Sequence, residues 1–276
     1  MNTKELYQNI RLKKSYLCIG LDSDMKKIPH HLKKEDDPML EFNRAIIDHT
    51  HKYCVAYKIN TAFYEMHGSK GWSTLEQTVR YIKTNHPDMF LIADAKRGDI
   101  GNTARMYAQT FFSWLDVDAV TLSPYMGYDS VQPFLEFNGK WVIILALTSN
   151  QGAEDFQYFF SVQENKHLYE KVVERSATWG SSDKIMFVSA ATRTAELKNI
   201  RKMVPDHFLL IPGIGAQGGN LKEVSLQGMN KQCGILVNAS RSVIFASSAE
   251  SFARAAQKKA SAWQNEIQNY LLNLDI

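Results

Sequence analysis

The residues best placed to do chemistry lie between positions 91 and 103, Leu-Ile-Ala-Asp-Ala-Lys-Arg-Gly-Asp-Ile-Gly-Asn-Thr. The stretch starts as an apolar run, as a buried parallel strand does. It then turns abruptly charged at Asp94, Lys96, Arg97 and Asp99. Residues two apart on a strand point to the same side, so Asp94 and Lys96 share one side and Ala95 and Arg97 the other. Gly98 lets the chain turn, and Asp99 can swing back towards the same centre. Charged residues after a strand are often only a solvated loop. Here they follow the strand directly, alternate in sign, and are matched by polar residues at the ends of other strand candidates.

Those candidates set the architecture. Apolar runs at 16–21, 54–60, 119–122, 141–147, 184–191, 208–211 and 234–237 join the central strand to make eight, nearly all followed by a helical pattern. Helices read at 3–14, 39–52, 73–85 (with Ser73 or Thr74 as N-cap), 102–115, 166–179, 194–203, 221–228 and 249–271. Asp129 caps a short helix to about residue 137, and residues 153–162 show no period and read as a long loop. No composition break marks a linker. Eight βα units over residues 1–276 predict one α/β domain, a single (β/α)8 TIM barrel. An open doubly wound sheet would need a Gly-rich turn after the first strand, and Asp22-Ser23-Asp24 is not that turn.

In a barrel the strand ends converge on one mouth, gathering Asp22, Lys58, Asp94, Lys96 and Asp99. Two lysines among carboxylates form an alternating network that stays ionised because each charge has opposite neighbours. A salt-bridge cluster that merely closes the barrel top is the structural alternative. A second constellation runs from Gly213 to Gly219, a Gly-rich loop after the seventh strand candidate, where such barrels bind phosphate through backbone N–H groups. Gln217 adds an amide donor there, and Arg241, after the eighth strand candidate, a bidentate clamp. Thr148-Ser149-Asn150 ends the fifth strand candidate and can read a polar heterocycle by hydrogen bonds. The eight histidines fall in loops or on helices, none ends a strand, and no metal-ligand spacing stands out. Cys18, Cys54 and Cys233 are widely spaced in apolar runs, which fits buried thiols of a cytoplasmic protein.

Composition narrows the class further. A 45% hydrophobic and 22% charged chain can bury a full core without staples. The net charge of +3 is scattered, with no dense basic block of the kind that marks nucleic-acid binding. The polar N-terminus lacks a signal-peptide core, and no apolar run approaches the ~20 residues of a membrane span.

Asp94-Ala-Lys96-Arg-Gly-Asp99-Ile100-Gly-Asn-Thr103 resembles the signature of the orotidine 5′-phosphate decarboxylase family. Leu21-Asp22, Lys58, Thr148-Ser149-Asn150-Gln151-Gly152, Pro212-Gly-Ile-Gly-Ala-Gln217-Gly-Gly and Asn238-Ala-Ser-Arg241 agree with its other segments, from about residue 16 to 245. The Arg-Gly insert and the length resemble the longer bacterial branch, type 2. The resemblance implies cofactor-free loss of CO₂ from orotidine 5′-phosphate to give uridine 5′-phosphate (UMP), the last step of pyrimidine nucleotide synthesis. It implies that Lys96 protonates C6 and that Asp94 sits beside the departing carboxylate. Lys58 and Asp99 hold the network and contact the ribose, as does Asp22. Ser149 reads the pyrimidine; Gly215, Gln217 and Arg241 bind phosphate, with Pro212 lining the site. It further implies a homodimer in which Asp99, Ile100 and Thr103 reach the neighbouring subunit's site, with no metal, nucleic-acid or membrane partner.

Two departures stand out. Asn220 occupies a position where many relatives carry Asp, and Ser189-Ala190-Ala191 replaces a Gly-containing turn. The nearest rival is a metal-dependent sugar-phosphate decarboxylase or aldolase of the same barrel family. Those enzymes resemble this one in Asp-x-Lys-x-x-Asp but carry a carboxylate where Lys58 stands, and Lys58 would repel the cation. The other rival is a non-catalytic nucleotide-binding barrel.

Overall fold

The structure, a computed structural model, describes residues 1–215 and 219–272. Eight parallel strands close into a barrel: β1 (Leu17–Gly20), β2 (Ala56–Asn60), β3 (Phe90–Arg97), β4 (Ala119–Leu122), β5 (Trp141–Leu147), β8 (Ile185–Ser189), β9 (Phe208–Pro212) and β10 (Ile235–Ala239). Each pairs with the next barrel strand in sequence, and β10 returns to β1, Leu17 lying opposite Val237. The strands read as continuous apolar runs because both of their faces are covered, the interior by facing strands and the exterior by helices. Their apolar residues join the helices' inner faces in one core.

The N-terminal helix Thr3–Lys13 lies across the N-terminal ends of the strands. A capping box starts it: Asn2 accepts from the Glu5 N–H, and the Glu5 carboxylate accepts from the Asn2 N–H. Trp141 Nε1 donates to the Met1 carbonyl at 2.7 Å, and Asn9 Nδ2 to the Asp88 carbonyl at 2.6 Å. The opposite, C-terminal mouth is left to the site.

Several elements differ from their sequence-based boundaries. The helix expected over 73–85 runs Gly68–Asn85, so Ser73 and Thr74 are interior rather than caps. Two glycines made that first turn read as loop. Gly71 is there because a Cβ would meet the Tyr64 carbonyl oxygen at 1.8 Å, so the short helix Ala62–Glu65 packs onto bare backbone. Asp129 caps nothing: it lies inside the 3₁₀ turn Tyr128–Ser130, and the helix Gln132–Leu135 follows Val131. The stretch 153–162 is not a featureless loop. It holds a single helical turn, Ala153–Phe156, and β6 (Phe160–Ser161), which pairs antiparallel with β7 (Lys166–His167). Elements this short carry no period to read. His167 thus does end a strand, though not one of the barrel, and the next helix starts at Leu168. The helix expected over 102–115 is α-helical over Gly101–Gln109 and ends in a π-helical turn, Thr110–Trp114.

The three cysteines are buried and unpaired, and burial pushes the thiols of Cys54 and Cys233 up to about 12. Among the described residues no helix is long and apolar enough to cross a membrane.

Candidate active site

A cavity of about 300 Å³ opens at the C-terminal ends of the strands. Its charged floor comes from three neighbouring strands. β1 runs out at Gly20, placing Asp22 just past its end; β2 carries Lys58, and β3 carries Asp94 and Lys96. The Lys58 ammonium lies 2.9 Å from Asp94 Oδ2 and 3.5 Å from Asp22 Oδ1. The Lys96 ammonium lies 2.5 Å from the other Asp94 oxygen, Oδ1. One carboxylate therefore bridges two ammonium groups. Lys58 is buried, whereas the Lys96 side chain is 50% exposed and lines the open cavity.

Burial alone would push the Asp94 carboxyl up. The Lys58 and Lys96 ammonium groups outweigh it and hold Asp94 well below the usual carboxylate range. Burial alone would likewise push the Lys58 ammonium down. Asp22 and Asp94 outweigh it and hold Lys58 above the usual lysine value. At neutral pH the buried Lys58–Asp94 pair is charged on both sides.

Polar groups line the rest of the cavity. Ser149 and Asn150 come from the segment after β5, braced from behind by Gln157. The Gln157 side-chain carbonyl accepts the Thr148 N–H at 2.8 Å, and its amide donates to Thr148 Oγ1 at 2.8 Å. Further round the cavity stand Pro212, which ends β9, with Gly213 and Ile214 just past it, and Asn238 of β10 with Ser240 and Arg241 just past that strand. Arg241 opens the short helix Arg241–Ile244 and, among the described residues, is the one arginine on the cavity wall.

The structure thus brings Asp22, Lys58, Asp94, Lys96, Ser149, Pro212 and Arg241 to one cavity. It does not bring Asp99. That carboxylate does not swing back; it lies off the cavity wall and accepts the N–H of Ile100 at 2.8 Å. Ile100 is half exposed and Thr103 is exposed, both outside the cavity. Gly215 has φ +79° and also lies off the wall, packed towards Trp263. Gln217 lies outside the described residues. Asn220, the departure noted above, caps the helix Leu221–Gly228 by accepting the Lys222 N–H at 2.9 Å, a task Asn and Asp perform equally.

Sequence reading missed Asn60, Thr121, Leu145, Val188 and Leu210 on the wall. Asn60 ends β2 as a polar residue, the same signal that exposed Lys58. Thr121 is the polar residue in the otherwise apolar Ala-Val-Thr-Leu of β4, and its hydroxyl donates to Asp94 Oδ1 at 3.0 Å. The three aliphatic residues are indistinguishable from core by type.

Fold and site together define a (β/α)8 barrel enzyme with a buried Asp–Lys charge network at the strand ends. The chain belongs to the orotidine 5′-phosphate decarboxylase / HUMPS family, whose model matches residues 15–256. It is 55% identical over 271 residues to orotidine 5′-phosphate decarboxylase of Phocaeicola vulgatus, covering 98% of this chain and 99% of that protein. Among solved structures it is similar to Leishmania donovani OMP decarboxylase, with TM-score 0.80, 35% identity, and 98% and 99% of the two chains covered. It also matches Leishmania donovani UMP synthase, with TM-score 0.81 and 35% identity over 94% of this chain, but spans only 56% of that longer protein.

Proposed function

We propose that this protein decarboxylates orotidine 5′-phosphate to UMP, with its own side chains supplying the chemistry. The observation that carries this reading is the Lys58–Asp94–Lys96 chain, in which a half-exposed ammonium is held at the cavity by a buried, ionised carboxylate. In the reaction the bond between C6 and its carboxylate breaks. The electron pair stays on C6 and CO₂ departs. The Lys96 ammonium stabilises the developing carbanion and transfers a proton from Nζ to C6, then regains one from solvent. Asp94 keeps Lys96 in place and sets a negative charge beside the carboxylate that leaves. Lys58 keeps Asp94 ionised, and with Asp22 faces the ribose. Ser149 reads the pyrimidine. Arg241 takes the phosphate together with Gly215 and Gln217, with Pro212 lining the site. Binding energy from the remote phosphate then supports the chemical step.

The same reading has Asp99, Ile100 and Thr103 reach into a neighbouring subunit's site. Their position off this chain's own cavity, with Ile100 and Thr103 exposed, favours a homodimer in which they complete the partner's site.

The metal-dependent alternative is disfavoured by the donor set: the Lys58 ammonium stands between Asp22 and Asp94, the carboxylates a divalent cation would need. The deciding experiment is a spectrophotometric assay with orotidine 5′-phosphate in excess EDTA. Stoichiometric UMP formation is the expected result. No turnover of the nucleotide, but turnover of a sugar phosphate once Mg²⁺ is restored, would transfer the assignment to the alternative. Tight nucleotide binding without turnover of either would leave a binding module.

A further inference from the structure

The pairing of β3 with β4 breaks at the charged cluster. Ala93 lies opposite Val120 and Arg97 opposite Leu122, so Asp94, Ala95 and Lys96 all face the single residue Thr121. An ordinary bulge sets two residues against one; this one sets three, and the regular ladder cannot serve them all. At the top of the bulge Lys96 adopts φ +47°, a left-handed conformation that L side chains rarely take. Thr121 is 1% exposed, and its hydroxyl fills the gap in the ladder. It accepts the Lys96 backbone N–H at 2.9 Å and donates to Asp94 Oδ1 at 3.0 Å. Asp94 Oδ1 is also the oxygen that holds the Lys96 ammonium. The two ends of Lys96, its amide and its Nζ, are thus tied into one ring through Thr121 and Asp94.

We propose that Thr121 is a positioning residue for the decarboxylation, fixing the left-handed backbone of Lys96 and the carboxylate that aims its ammonium. This rests on the function proposed above. The hydroxyl's one hydrogen goes to the carboxylate while a lone pair takes the amide, so a single group serves both ends of Lys96. The side chain of Lys96 is half exposed and little else restrains it. Loss of the hydroxyl leaves the Lys96 N–H without its partner and Asp94 with one donor fewer. The ammonium then samples positions off the reacting carbon. Ligand affinity, governed by groups at other strand ends such as Arg241 and Ser149, is not touched.

The test compares wild type, Thr121→Val and Thr121→Ser for turnover of orotidine 5′-phosphate and for affinity of UMP. Valine keeps the shape and removes the hydroxyl; serine keeps the hydroxyl. Thr121→Val is expected to lose about tenfold to hundredfold in kcat, the effect of one hydrogen bond to a charged group, with UMP affinity within about threefold of wild type. Thr121→Ser is expected to recover most of kcat. Should the valine variant fail to fold, Thr121→Ala against Thr121→Ser makes the same comparison. An active wild type with a hydroxyl-free variant of equal kcat overturns the positioning role alone. So does an equal loss of kcat in Thr121→Ser, or a loss confined to KM. An inactive wild type instead overturns the proposed function, and this role with it.

Discussion

Lys58 Nζ and Asp94 Oδ2 meet at 2.9 Å where the two side chains keep only 5% and 10% of their surface exposed. Removing one partner of such a pair leaves an uncompensated buried charge, at a cost of about 3–5 kcal/mol. Asp94 retains Lys96 and Thr121, which places Lys58→Met near the lower end of that range. Denaturant unfolding at neutral pH is expected to show a loss of about 3 kcal/mol, and turnover is expected to vanish. Adding Asp94→Asn should restore part of the stability but none of the turnover. A Lys58→Met protein as stable as wild type would mean that the pair contributes nothing to the fold.

The same pair sets what pH does. Asp94 is held below its unfolded value, so its contribution is complete above about pH 4 and is lost only as pH falls further, through its depressed folded value. Lys58 is held above its unfolded value, so its contribution is complete below about pH 10 and lost only as pH rises beyond that. Neither changes stability near pH 6, whereas His207 is expected to. Both its ring nitrogens are buried without a partner, and burial together with nearby Arg201 lowers it from the ordinary 6.5. The unfolded chain therefore takes up this proton first, and stability should decline as pH drops below about 6.5. His86, lowered by burial and by the stacked His51, adds to the same slope. Chemical denaturation across this range is expected to show the decline in wild type and a shallower one in His207→Phe. An unchanged slope in the variant would remove His207 from the account.

Lys96 is the charge the network presents rather than buries. Its loss leaves Asp94 paired with Lys58, so Lys96→Ala should keep its melting temperature within a few degrees of wild type. Turnover should fall by at least about 10²–10⁴, the worth of a positioned general acid, and further to the extent that the ammonium stabilises the carbanion. Binding of UMP should remain measurable by calorimetry. Near-wild-type turnover would show that another group delivers the proton.

Arg241 lines the cavity just past the end of β10. Arg241→Ala is expected to weaken binding of UMP by about tenfold or more while leaving uridine nearly unaffected, because a charge-assisted hydrogen bond to the phosphate is worth about 1.5–3 kcal/mol. Equal losses for the nucleotide and the nucleoside would argue against a phosphate contact.

The barrel was legible because eight apolar runs each ended in polar residues, and a strand buried on both faces can hardly be written otherwise. Lys58 and Asp94 were legible for the same reason: charge inside or at the end of an apolar strand has no cheap explanation. The position of Asp99 was not. That expectation rested on a turn at Gly98 swinging the carboxylate back, and the carboxylate instead accepts the Ile100 N–H, beyond a three-residue bulge against Thr121 and a left-handed Lys96 that single-strand alternation does not show. Thr121 was hidden because its importance comes from register with another strand, which one segment cannot show. The hairpin of β6 and β7 was hidden because two-residue strands carry no period, although Gln157 at its base holds the Ser149 segment in place.

Gly219 ends the loop after β9 and tests how that loop is anchored. A Cβ there would lie 2.6 Å from the Ala191 Cβ and 3.0 Å from the Gly213 carbonyl oxygen. The glycine is needed for close approach, since the Gly219 N–H donates to that same carbonyl at 3.3 Å and Ile214 bridges to Gly219. Ala191 follows β8, so this chain carries a methyl on one side of the contact and none on the other. Gly219→Ala should force the base of the loop apart, costing about 1–3 kcal/mol of stability and raising KM for the phosphorylated substrate. Ala191→Gly removes the opposing methyl. Placed together with Gly219→Ala it should recover much of both losses, a coupling that a double-mutant cycle on stability and KM measures directly. Strict additivity of the two substitutions would show that the methyl contact is not what seats the loop.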